Sequence, residues 1–137
     1  MTAPSIPSSL RQLVIERSQG KCEYCLIHQD LSIYSHEVDH VIARKHGGQT
    51  VGENLALSCL SCNRHKGSDL ATFDPLSDEI VPLFNPRRQT WSDHFTLDGI
   101  HIVGITPTGR ATVFLLKLNA PTRLAYRQVL IAQKRYP

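Results

Sequence analysis

Four cysteines constrain the fold of this chain more than any other feature. They form two C-x-x-C pairs, Cys22 with Cys25 and Cys59 with Cys62, in a chain of 137 residues. Each pair can occupy a tight turn that directs both sulfur atoms to one centre, and four thiolates match the tetrahedral coordination of Zn²⁺. Because four protein ligands leave no open coordination position, the pairs predict a structural zinc site and not a catalytic one.

The start of the chain supports a metal over disulfide bonds. It has no charged segment followed by an apolar run, so we expect no secretory signal peptide and a cytoplasmic protein. No stretch approaches the length of a membrane span, so we expect no membrane partner. Disulfides are rare in the cytoplasm. A redox-active C-x-x-C pair is the alternative, but two such pairs in one short chain favour metal binding.

The spacing of the two pairs predicts how the chain is organised. The segment between Cys25 and Cys59, residues 26–58, has 33 residues, more than the roughly 15–20 of a typical zinc ribbon. Zinc would therefore close the neck of a small subdomain and contribute directly to its folding. We expect residues 1–70 to form a core with an N-terminal helix, and residues 71–137 to form a C-terminal extension that packs on it.

Local patterns place helices and strands around this segment. Ser8 or Ser9 can cap a first helix that ends at Gly20. Residues 33–43 alternate apolar and polar side chains, which predicts an extended arm of a hairpin. A further helix is expected to begin near Asn63. These elements predict an α+β fold.

The extension has weaker signals. Residues 100–105 are apolar enough to form a strand. A turn at 107–109 opens a helix that runs through residue 118. Asn119 is expected to cap a last helix from about residue 121 to 134.

A second set of polar residues lies between and just after the cysteine pairs. Asp39 and His40 are adjacent, a Gly47-Gly48 turn follows, and Asn54 and Asn63 come later. Since adjacent strand residues point to opposite faces, we expect a bend or bulge to bring Asp39 and His40 to one substrate. Histidine titrates near neutral pH and therefore suits a general base.

Taken in order, these motifs resemble the cysteine-bearing branch of the HNH endonuclease family. That pattern runs C-x-x-C, Asp-His, Gly-Gly, Asn-Leu, then C-x-x-C followed by His or Asn and a nearby Lys. The resemblance covers about residues 10–70. It implies a small ββα-metal core that carries structural zinc knuckles, with the C-terminal segment as an α/β extension.

The resemblance also implies a role for each residue. Asp39 would bind a catalytic metal, His40 would take a proton from water, and Asn54 would tie the loop to the strand that carries His40. Asn63, at the third position of the motif, would be the second metal ligand, which makes the chain an HNN variant. Two oxygen ligands favour Mg²⁺ or Mn²⁺. His65, two residues further along, is the alternative ligand. We expect a backbone carbonyl to fix the tautomer of the imidazole.

The implied reaction is hydrolysis of DNA phosphodiester bonds, with no small-molecule cofactor. A net charge of +3 is compatible with a polyanionic partner but proves little alone. Basic residues that flank the motif would contact phosphates without reading sequence; they are Arg44, Lys45, Arg64 and Lys66. Arg87, Arg88 and Trp91 could extend this surface, although a solvated loop over a core tryptophan is the favoured alternative.

Three interpretations of the function stay open at this point, and the third is a zinc-stabilised protein-interaction domain, which would show no salt-dependent DNA binding. The other two both involve nucleic acid. A nuclease would need Asp39, His40 and Asn63 together, whereas a zinc-stabilised nucleic-acid-binding module without cleavage would not. As a nuclease, a monomer would nick DNA and a homodimer would cut both strands.

Overall fold

The computed structural model describes residues 6–137. Residues 1–5 lie outside the described residues, and they include the first part of the predicted 1–70 core and the first half of the segment examined for a signal peptide. Among the described residues, no helix is long and apolar enough to cross a membrane.

An antiparallel hairpin with one helix on each face forms the centre of the N-terminal half. β1 (Glu37–His40) pairs with β2 (Leu55–Ser58). α1 (Ser8–Ser18) packs against β2, and α2 (Leu60–Lys66) packs against β1. The two strands followed by α2 give the predicted ββα arrangement, and the α+β fold class is confirmed.

The first helix buries one apolar face against the hairpin. Val14 is fully buried and forms a small core with Val38, Leu55 and Leu57. The helix ends where expected, because Gln19 adopts a left-handed conformation (φ 56°) just before Gly20. The predicted serine cap is wrong: Pro7 occupies the capping position, and no side chain caps the helix.

The helix after the second cysteine pair begins earlier than predicted, at Leu60 and not near Asn63. The sulfur of Cys59 accepts a hydrogen bond from the backbone N–H of Cys62, at 3.4 Å. This sulfur takes the place of a serine or aspartate oxygen at the helix N-terminus. Cysteine is not among the usual capping residues, which is why the sequence signal was missed.

The C-terminal half consists of two further hairpins and three helices. In chain order these are β3 (Ala71–Phe73), β4 (Ile80–Pro82), α3 (Trp91–His94), β5 (Phe95–Asp98), β6 (His101–Gly104), α4 (Pro107–Leu115) and α5 (Pro121–Ala132). The predicted strand and the two predicted helices correspond to β6, α4 and α5. α4 ends before residue 118, however, and the two hairpins as such were not predicted.

The last helix has a different start from the one expected. Asn119 does not cap α5; Ala120 precedes it without a side-chain cap. The side chain of Asn119 instead accepts from the N–H of Ile102 at 2.9 Å and donates to its carbonyl at 2.8 Å. The residue therefore holds the segment after α4 against β6.

One apolar core joins the two halves of the chain. The four cysteines cluster with buried residues of the C-terminal half, namely Phe84, Phe95, Ile102, Leu116 and Leu118. The extension thus packs on the cysteine end of the hairpin unit. The division of the chain at residue 70 stays a prediction.

Candidate metal centre and active site

The four cysteine sulfurs lie together in the interior. All four atoms are within 4.8 Å of one another, and all four residues are buried. The N–H of Cys25 points at the sulfur of Cys22, at 3.5 Å, just as that of Cys62 points at Cys59. This is a donor set that can hold one metal ion, and four thiolates are compatible with a structural zinc site.

Residues of the extension close the outer side of this metal centre. Arg123 on α5 donates from Nη2 to the sulfur of Cys62 at 3.1 Å, and from Nη1 to the carbonyl of Leu116 at 2.9 Å. The Tyr136 hydroxyl donates to the carbonyl of Cys25 at 2.7 Å. A guanidinium beside thiolates offsets part of their negative charge. No local pattern predicted this role for Arg123, because it is 61 residues from Cys62 in the chain.

The structure separates the three residues that were grouped as an extension of the DNA surface. Arg87 pairs with the half-buried carboxylate of Glu23, which also accepts from the N–H of Leu57 at 2.9 Å. Trp91 donates to the carbonyl of Tyr24 at 2.9 Å and stacks on the core. Trp91 therefore packs on the core, as the alternative interpretation had it, whereas Arg87 is held in a largely buried ion pair and not in a solvated loop. Arg88 is exposed.

His40 ends β1 with its ring held at one nitrogen. Its Nε2 lies 2.8 Å from the hydroxyl oxygen of Thr50. Arg44 donates from Nη1 to the same oxygen at 3.1 Å. The expected backbone carbonyl partner is therefore wrong, because the partner is a threonine side chain ten residues away. No residue pattern pointed to Thr50 in advance, since its position depends on how the loop folds back.

Asp39 lies on the other face of the strand. The pairing with β2 is regular from Glu37 to His40, and the N–H of Val41 continues it by donating to the carbonyl of Asn54 at 2.8 Å. No bulge therefore occurs at Asp39 and His40, and the two side chains alternate across the sheet. The chain bends only after the pair, at Val41 and Ile42. Burial raises the pKa of the Asp39 carboxyl, and the charge of Lys66 counteracts that effect.

Lys66 lies in the interior and not at the surface, where a phosphate contact was expected. It is buried, and its Nζ donates to the carbonyl of Val41 at 2.9 Å. Burial lowers the pKa of its ammonium group, with Asp39 and Asp69 acting in the opposite direction. A buried ammonium bound to backbone does not reach along a DNA strand, so the predicted phosphate contact from Lys66 has no support here. Arg44, Lys45 and Arg64 are exposed.

Asn63 on α2 faces β1 on the side of Asp39. Its Nδ2 donates to the carboxylate of Glu37 at 2.6 Å. Glu37 and Asp39 alternate on the strand and so share this face. Lys66, one helical turn after Asn63, reaches Val41, so Asp39 lies between these two contacts along β1. Glu37 is not among the site residues predicted from the sequence, although its spacing of two from Asp39 places both on one face of a strand.

His65 points elsewhere. Its Nδ1 lies 2.8 Å from the carbonyl of Ser61 on the same helix, and the residue is exposed. Ser61 and His65 are four residues apart and share a helical face, whereas Asn63 and Lys66 share another. Only the second of these faces meets β1. The placement favours Asn63 over His65 as a partner of Asp39.

Asn54 makes three hydrogen bonds at the base of the loop between the strands. It accepts from the N–H of Ile42 at 2.9 Å, and donates to the carbonyls of Ile42 at 3.0 Å and Gln49 at 2.9 Å. A Cβ on Gly48 would lie 1.7 Å from the Ile42 carbonyl oxygen. Glycine is therefore required at 48 for the loop to approach the strand this closely.

Comparisons with known proteins place this geometry in context. The profile of the HNH endonuclease family matches residues 22–69, from the first cysteine to just beyond α2. The Septu protein PtuB of Bacillus thuringiensis is 32% identical over 127 residues, which covers 91% of this chain and 47% of that protein. The chain therefore spans about half the length of this curated relative. No solved structure gives a significant match.

Proposed function

Because residues 22–69 belong to the HNH endonuclease family, we propose that this chain is a metal-dependent endonuclease that hydrolyses DNA phosphodiester bonds, with His40 as general base. One observation carries the proposal: α2 presents Asn63 to the face of β1 that bears Asp39, while His40 ends the same strand. These are the groups that hydrolysis needs, namely oxygen ligands for a hard cation and an imidazole to take a proton from water.

The residues at this face fit a divalent cation. Asn63 donates through its Nδ2 to Glu37, and this leaves its Oδ1 as the ligand atom. Asp39 supplies a half-buried carboxylate on the same face of β1 as Glu37, the hydrogen-bond partner of Asn63. Oxygen ligands favour Mg²⁺ or Mn²⁺. When bound, such a cation would stabilise negative charge on the phosphate and on the leaving 3′-oxygen.

The regular strand dictates where the substrate has to lie. Asp39 and His40 point to opposite faces of β1, so no single point above one face is reached by both. The end of the strand is different, because a phosphate lying across it meets Asp39 from one side and His40 from the other. We therefore place the scissile phosphate across the end of β1, next to the bend at Val41 and Ile42.

Exposed basic side chains around this strand end would position the DNA backbone. Lys45 and Arg64 are exposed on the two segments that flank the site. Arg88 lines a cleft of about 320 Å³ together with Val41, Ile42 and Lys66. This residue of the extension therefore lies at the edge of the hairpin unit, next to the end of β1. Contacts of this kind set affinity and register without reading sequence.

A second candidate is a zinc-stabilised DNA-binding module that does not cleave. The regular β1 strand favours it, because Asp39 and His40 do not converge without help from a substrate. Both candidates predict salt-dependent DNA binding. The two candidates differ in cleavage: only the nuclease should cut DNA in a reaction that requires a divalent metal and His40.

The test is a plasmid cleavage assay with zinc-loaded protein in Mg²⁺, Mn²⁺ or Ni²⁺. His40→Ala should lower the rate by about 10²- to 10⁴-fold, the usual contribution of a general base. Asp39→Ala should abolish cleavage in all three metals, because the divalent cation loses a carboxylate ligand. His46→Ala is the matched control, because His46 is exposed on the adjacent turn and should cleave like the wild type.

Two outcomes would reject the nuclease proposal. Wild-type cutting that both site variants retain at the native rate would place the activity elsewhere. Binding without any cutting in all three metals would favour the binding module. Comparing Asn63→Ala with His65→Ala then identifies the second ligand, since we expect only the first to weaken metal-dependent cleavage.

A further inference from the structure

The hydroxyl of Thr50 connects the proposed base to its loop. We propose that Thr50 and Arg44 are positioning residues that hold His40 with a proton on Nε2 and leave Nδ1 as the basic nitrogen. The inference rests on the proposed function, because it assigns the atom of His40 that takes the proton. It also changes the role of Arg44, which the sequence presented as a phosphate contact.

The hydrogen-bond inventory at Thr50 supports this assignment. The oxygen lies 2.8 Å from Nε2 of His40 and 3.1 Å from Nη1 of Arg44. A hydroxyl has two acceptor sites and one donor, and a guanidinium can only donate. Arg44 therefore fills one acceptor site. In the proposed arrangement an Nε2–H group of His40 fills the other acceptor site, and the hydroxyl proton of Thr50 takes no part in either contact.

The opposite arrangement is incompatible with a general base. If the hydroxyl donated to Nε2, neutral His40 would carry its proton on Nδ1, and its only lone pair would already be occupied. Nε2 is also the nitrogen that faces protein, and Nδ1 makes no hydrogen bond within the described part of the chain. A base needs an unprotonated nitrogen within reach of water, and here that nitrogen is Nδ1.

The position of Thr50 is itself held by the motif residues of the loop. Asn54 binds the carbonyl of Gln49, the residue before Thr50, and also both backbone groups of Ile42. Gly48 allows the loop to approach the Ile42 carbonyl. A continuous set of contacts thus runs from Asn54 through the loop backbone to Thr50 and on to His40. This gives Asn54 a physical connection to the base without contact to the substrate.

Kinetics of Thr50 variants test the positioning role. Thr50→Val keeps the shape and removes the hydroxyl, so we expect kcat to fall about tenfold to a hundredfold, less than for loss of the base itself. KM should stay within about twofold, because no substrate contact is removed. Thr50→Ser should restore most of the rate. Thr96→Val, on an exposed position of β5, is the matched control and should behave like the wild type.

Arg44→Gln distinguishes positioning from phosphate binding. Loss of a positioning residue lowers kcat with little change in KM, whereas loss of a phosphate contact raises KM and reduces the salt dependence of binding. We expect the first result. A raised KM with unchanged kcat would remove Arg44 from the inference.

The tautomer can be read without any cleavage. Nitrogen-15 NMR of the His40 ring, at a pH where the ring is neutral, should show the proton on Nε2 in the wild type and a mixture of tautomers in Thr50→Val. A proton on Nδ1 in the wild type, or unchanged kcat and tautomer in Thr50→Val, would overturn the inference. A wild type with the Nε2–H tautomer but no cleavage would count against the proposed function and leave the Thr50 contact intact.

Discussion

Replacing Arg123 by methionine tests how the extension stabilises the metal centre. Arg123 lies on α5, far from the hairpin in sequence, and its guanidinium donates to the sulfur of Cys62 at 3.1 Å. Methionine keeps much of the apolar volume and removes both the charge and the donors. The variant should bind zinc more weakly, because the thiolates lose a charge-assisted hydrogen bond.

Two independent routes give the expected magnitude. A hydrogen bond to a charged group contributes about 1.5–3 kcal/mol. Loss of an outer partner of a metal ligand typically reduces affinity by about 10- to 100-fold, which corresponds to about 1.4–2.8 kcal/mol at 1.4 kcal/mol per factor of ten. Both routes predict that the free energy of zinc binding becomes less favourable by about 2 kcal/mol. The lost contact to the Leu116 carbonyl adds a smaller, metal-independent destabilisation.

Zinc affinity measured by competition with a chromogenic chelator is the direct assay. Thermal unfolding with and without zinc separates the metal-dependent loss from the metal-independent one. Arg135→Met is the control: Arg135 is exposed near the end of the same chain segment, and its side chain hydrogen-bonds to the exposed Gln133. If Arg123→Met bound zinc within twofold of the wild type, the stabilising role of Arg123 would be refuted.

Three further predictions concern Gly48, Asp74 and Arg88. Gly48→Ala should destabilise the fold by about 1–3 kcal/mol in chemical denaturation and lose most cleavage, because the new Cβ overlaps the Ile42 carbonyl. Asp74 is buried and paired with Arg110, which holds the pKa of its carboxyl well below the usual range. The ionised Asp74 carboxylate should therefore contribute fully to the free energy of unfolding above pH about 4, and less as the pH falls below that value. The denaturation midpoints of the wild type and Asp74→Asn should consequently converge at low pH. Arg88→Gln should weaken DNA binding and reduce the slope of its salt dependence by about one.

Features that depend on local residue chemistry could be predicted from the sequence. The paired cysteines indicated a shared metal centre, and the four sulfurs do lie within 4.8 Å of one another. Alternation indicated the first strand of the hairpin, and the ββα order followed from the family resemblance. These succeed because two-residue spacing in a turn, or period-two burial in a strand, is fixed by backbone geometry alone.

Features that depend on long-range contacts were not accessible in this way. Lys66 looks like a surface residue beside Arg64, yet its helix turns it under the hairpin to reach Val41. Asn119 has the residue type and position of a helix cap, but β6 competes for the same side chain. Thr50 has no distinguishing neighbour at all. In each case the deciding partner is 10 to 25 residues away in sequence.

The metal centre and the proposed active site share one helix, and this couples them. The sulfur of Cys59 caps α2, and Cys62 lies in its first turn. Asn63 follows Cys62 directly, and Lys66 follows one turn later. Loss of zinc would release the cap and the first turn together, so Asn63 would lose its fixed position opposite Glu37. A zinc ion remote from the DNA would thus still determine whether Asn63 is placed opposite β1, where Asp39 lies. Chelating it should abolish cleavage even when Mg²⁺ is in excess, whereas DNA binding through Arg88 should decline less.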